Sequence, residues 1–130
     1  MKTTLLKKTI LLAVFCLSSA MGEDLIFTRG MFNGRGWINL DPVGKTLIVT
    51  GLVDGMIIGE AKYISDLVPG SMTVTETVGV LDQFYAQPAN RPVPIGCALR
   101  WVTSVARGDT PAQLERTAAL LRKDASEPSK

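Results

Sequence analysis

Apolar residues are distributed along this chain in two ways. Two stretches are continuous, Ile10 to Leu17 and the almost unbroken Thr46 to Ile58. Three others recur at helical spacing: Val74, Val78, Leu81 and Tyr85; Ile95, Leu99, Val102 and Ala106; Leu114, Ala118 and Leu121. Steps of three and four place each of these sets on one face of an α-helix. Their ends carry matching signals. Thr73 and Glu76 have the form of a capping box, in which two side chains satisfy each other's backbone donors. Thr110-Pro111-Ala112-Gln113 opens the last helix, with proline in its first position, and Gly108 closes the one before it. The pattern predicts helices from Thr73 to about Tyr85, from Ile95 to Ala106 and from Thr110 to about Lys123. Pro88, Pro92 and Pro94 predict a rigid, extended connector over residues 87–94.

The continuous run from Thr46 admits two readings, because periodicity alone does not separate a buried helix from buried strands. Val53-Asp54-Gly55-Met56 would serve as a hairpin turn between β-branched runs. Against that, Asp41-Pro42 reads as an N-cap followed by proline at the first helical position. Gly51, Gly55 and Gly59 also repeat at a strict spacing of four, one row on a helix. Interior glycines cost a helix about 1 kcal/mol each relative to alanine, so such a row implies a closely packed neighbour or a function. The expectation is a helix over residues 43–61 packed through that row, with the hairpin as the alternative. Ahead of it, Asn33-Gly34-Arg35-Gly36 is turn chemistry and Trp37 to Leu40 suffices for one helical turn. Leu25, Ile26 and Phe27 form a small cluster suited to a docking arm or a single strand. The organisation expected is an all-α fold, a small bundle of about four helices: a signal peptide over 1–20, an N-terminal arm over 21–36, a helical domain over 37–123 and a loose tail over 124–130.

Composition narrows the chemistry. The 130 residues include no histidine. That removes the Ser-His-Asp triad, the Cys-His dyad and nearly every zinc or non-haem iron site. Lys2, Lys7 and Lys8 precede the apolar run, and Ser18-Ser19-Ala20 follows it, which is the order of a secretory signal peptide cleaved after Ala20. The run is too short to span a membrane, where about 20 helical residues are needed. Three of the 14 basic side chains lie in that segment, so 11 remain against the same 12 acidic ones. With no basic stripe to neutralise phosphates, nucleic acid is not an expected partner. Cys16 follows Phe15 where lipid attachment wants a small residue, and Cys97, the one remaining cysteine, has no intramolecular partner. The expected location is periplasmic or secreted.

Few residues offer chemistry. Val43-Gly44-Lys45-Thr46 resembles the end of a phosphate-binding loop, but Asn39 stands where that loop requires glycine and a helix start replaces the preceding strand. Asp54 is the only charge between Lys45 and Glu60, and burying it unpaired would be costly. It suits a structural pairing, or a contact with a ligand or partner. In Phe84 to Ile95, aromatics and prolines surround Asn90 and Arg91, a composition fitting either a structural corner or a preorganised recognition loop. On the second reading Tyr85, Asn90 and Arg91 contribute a partner contact, aromatic and arginine side chains being enriched at binding hot spots. Cys97 sits where a helix begins and, without His or a second Cys nearby, reads as a small core residue rather than a nucleophile. No catalytic residue, metal ligand or cofactor is implied.

The order Trp37 to Tyr63 with Gly51 and Asp54-Gly55, then Pro69-Gly70-x-x-Thr73, then Phe84-Tyr85 with Pro88, Asn90 and Pro-x-Pro before an Ala-Leu helix, resembles a group of small exported bacterial proteins of unassigned function. More distantly, the Pro-Gly-x-x-Thr helix start and the Tyr, Pro and Ala-Leu order are similar to periplasmic all-helical immunity proteins that neutralise type VI secretion effectors. The likeness spans about residues 37–107 and carries over no site residue. It implies a non-enzymatic envelope protein that binds another protein, in its specific form an immunity-like one. The alternative is a small-ligand carrier whose cavity is lined by the glycine-rich helix, with Asp54 as its polar contact.

Overall fold

The computed structural model describes residues 26–58 and 72–127. The expected signal peptide, Gly59 of the glycine row, the Pro69-Gly70 break and the last three residues of the tail lie outside them. The chain begins with an antiparallel hairpin, β1 (Phe27–Thr28) and β2 (Met31–Phe32). A single turn, α1 (Gly34–Trp37), leads to α2 (Pro42–Ile58). Then come α3 (Val74–Ala86), a 3-10 turn (Pro88–Asn90), α4 (Ile95–Ala106) and α5 (Pro111–Ser126). The architecture is a small all-α bundle.

The expected helix signals act as read. Thr73 N–H donates to Glu76 Oε2 at 2.7 Å while Thr73 Oγ1 accepts from Glu76 N–H at 3.2 Å. The first of these bonds, and after it the Thr73 hydroxyl donating to the same Oε2 at 2.8 Å, holds the Glu76 carboxyl below its ordinary range. The Thr110 and Gln113 capping box opens α5 with the same pair of reciprocal bonds. Asp41 accepts the Gly44 N–H at 2.7 Å at the start of α2, and Gly108, at φ +76°, closes α4 in the left-handed region. Residues 42–58 are helix rather than hairpin.

Packing runs in sequence order, α2 on α3, α3 on α4 and α4 on α5. The inward stripes meet in one core, with Leu81, Phe84 and Tyr85 of α3 against Leu99 and Val102 of α4 and Leu121 of α5. Trp37, fully buried, closes one end with its ring centroid 6.3 Å from that of Tyr85. Burying each such side chain contributes about 1.5–3 kcal/mol. Gly34 is required here, since a Cβ on it would overlap the Tyr85 ring.

Four expectations are corrected. The glycine row is not a packing seam among the described residues: Gly51 and Gly55 are exposed, and no described atom lies within 4 Å of a Cβ built on either. Residues 26–36 of the expected N-terminal arm are part of the body, because Thr28 Oγ1 donates to Pro92 O at 2.5 Å and Asn33 forms an antiparallel bridge with Pro94. The tail is helical as far as Ser126, with the Arg29 guanidinium bonded to Asp124 O at 2.5 Å and also to Glu127 O. The connector over 87–94 contains a helical turn, since the proline φ near −65° suits a 3-10 turn as well as extended chain.

Candidate binding surfaces

The corner after α3 is built from the inside. Phe84 is held edge-on to Tyr85, with centroids 5.0 Å apart, and packs on Trp101 at 5.2 Å. Tyr85 is fully buried and its phenol donates to Val93 O at 2.9 Å. Burial pushes that phenol well above the usual tyrosine range, and nearby Cys97 adds to the effect. Asn90 is buried as well; its amide donates to Phe84 O at 2.8 Å and accepts from Arg122 Nη1 at 2.8 Å. Arg122 in turn pairs with Glu115 at 2.5 Å. The partner contact expected of Tyr85 and Asn90 is corrected accordingly: both are used to turn the chain and neither has surface to offer. Arg91 is half-buried, and its Nε is buried with no hydrogen-bond partner among the described residues. Gln87, Pro88 and Ala89 are the exposed part of the corner. Arg122, which locks it, carries no local signal in the sequence, because its role depends on a contact between α5 and the turn after α3.

The phosphate-loop resemblance dissolves into helix-start chemistry. Lys45 Nζ pairs with Asp82 at 2.8 Å and stands 5.5 Å from the Trp37 ring centroid, while Trp37 Nε1 donates to the same carboxylate at 2.8 Å. Thr46 Oγ1 returns to Pro42 O at 2.9 Å. Neither side chain is free for a phosphate. Asp54 is exposed, and nothing among the described residues pairs with it.

Two other features stand out. The first is the outward side of α2. Val43 and Leu47 are each 66% exposed, and at a spacing of four they form one ridge that continues through Gly51 and Gly55. Ile38, 41% exposed, stands just before α2. The second is a cleft of about 440 Å³ where the hairpin, the start of α4 and the end of α5 converge. Arg29, Met31, Cys97, Arg100, Asp124 and Glu127 are among its lining residues. Cys97 is half-buried there and free. A smaller cleft of about 190 Å³ lies beside the corner, with Gln83, Gln87, Trp101 and Glu115 at its walls. Neither of these clefts is lined by α2.

Comparison with protein-family models, with curated proteins and with solved structures finds no match to this chain.

Proposed function

We propose that this chain is an exported, non-enzymatic binding protein of the cell envelope that acts by holding another protein, and that the outward ridge of α2 is the surface it uses. The observation that carries the reading is the exposure of Val43 and Leu47, four residues apart on one side of a mainly apolar helix. Contiguous exposed apolar surface marks interaction sites. Gly51 and Gly55 extend the ridge, and close approach of a partner backbone would offset the stability that interior glycines cost a helix. An immunity-like role, in which the bound protein is blocked, is the specific form of this reading; export rests on the N-terminal sequence pattern.

The test is recovery of envelope proteins on the immobilised parent and on a Val43→Asp, Leu47→Asp variant of equal thermal stability. Loss of the recovered partner with the variant supports the reading. Recovery of the same partner at equal yield removes the α2 ridge as the surface. A second reading, a small-ligand carrier, is favoured by the 440 Å³ cleft, whose size falls in the usual range for small-molecule sites. On that reading the polar contacts come from Arg100 and Glu127 at the cleft rather than from Asp54.

A further inference from the structure

The hairpin that borders the larger cleft is fastened in an unusual way. Its two-residue turn is Arg29-Gly30, with φ +53° at Arg29 and +73° at Gly30, the signs of a type I′ turn. Asn or Asp followed by Gly is the preferred content of that turn, because a long side chain at positive φ is disfavoured. Arginine therefore breaks the local rule, and the compensation lies elsewhere. Its guanidinium crosses to the other end of the chain and donates to Asp124 O and Glu127 O. Those carbonyls belong to the last turn and C-cap of α5, where a helix has no acceptors satisfied internally and where a cation is favoured by the helix dipole.

Besides Arg29, the hairpin's tip is held through Thr28, the residue before the turn, whose Oγ1 donates to Pro92 O. Phe27 is 39% and Met31 46% exposed, so the strands bury only part of their apolar surface. The Asn33 to Pro94 bridge lies at its base. A two-stranded hairpin is marginal by itself, and segments with few buried contacts open at low free-energy cost. Arg29, Asp124 and Glu127 all line the cleft that also holds Cys97 and Arg100.

We propose that the β1–β2 hairpin is a releasable strap beside this cleft, with Arg29 as its fastening to α5, and that unfastening it opens the way to the half-buried Cys97. The strap does not depend on the α2 ridge or on what that ridge holds. Cys97 serves as the reporter. In the full chain carrying Cys16→Ser, so that one thiol remains, the rate of Cys97 reaction with a disulfide reagent is measured for the parent, Arg29→Lys and Arg29→Asn. Asparagine suits the turn better than arginine, so Arg29→Asn removes the fastening without weakening the hairpin's own geometry. Hydrogen bonds from a charged donor are worth enough for their loss to raise the rate about tenfold or more. Arg29→Lys, with a point charge in place of the fork, falls between. Equal rates in the three proteins overturn the proposal. So does a rise in the exchange of the Leu99 and Val102 amides by the same factor as the thiol rate, because opening would then be global and not a movement of the strap.

Discussion

At the scale of single residues, the corner beneath α1 depends on two side chains fitting without slack. Tyr85 occupies space that a Cβ on Gly34 would need, and its phenol is the donor for Val93 O. Gly34→Ala forces the ring or the turn to move, and overpacking of this kind costs about 1–3 kcal/mol. Tyr85→Phe leaves the ring in place but deprives a buried carbonyl of its partner, at a cost of about 1–3 kcal/mol. Urea denaturation of both variants against the parent checks the pair. If Gly34→Ala is as stable as the parent, the contact between α1 and the Tyr85 ring is loose and Trp37 is positioned by something else. The sequence shows that Tyr85 and Asn90 are special without showing why. An aromatic and an amide among prolines look alike in a structural corner and in a recognition loop; the difference is made by Arg122, which reaches Asn90 from a helix more than thirty residues away.

Among the elements, α3, α4 and α5 are legible because each carries an amphipathic stripe and a local start or stop signal. Capping boxes and a C-terminal glycine act over four or five residues, so no tertiary information is needed to read them. The β1–β2 hairpin was not legible: its strands are two residues long, and its turn contains arginine where asparagine would be the signal. The helical end of α5 is not legible for a related reason, since Arg29, its polar partner, lies at the opposite end of the chain. For α2 the helix could be argued from Asp41-Pro42, but the direction its glycines face could not, because that depends on which side α3 occupies. Their exposure reverses the expected sign of substitution. Gly51→Ala and Gly55→Ala each meet open space among the described residues, so each is expected to stabilise the protein by about 0.5–1 kcal/mol. Thermal denaturation of the single and double variants tests this; a destabilised Gly55→Ala would mean that a neighbour presses on the row after all.

On the scale of the whole molecule, the decisive fact is the order of packing. With α3 between α2 and α4, the bundle covers one side of α2 and leaves the Val43 and Leu47 ridge outward. Site-specific photocrosslinking in the native envelope addresses this ridge directly, with a benzophenone amino acid placed at position 47 and, as control, at Leu120, an exposed leucine on α5. The account predicts a discrete adduct with another protein from position 47 and none from position 120. Equal adducts from both positions, no adduct from position 47, or an adduct only with a second copy of this chain would contradict it.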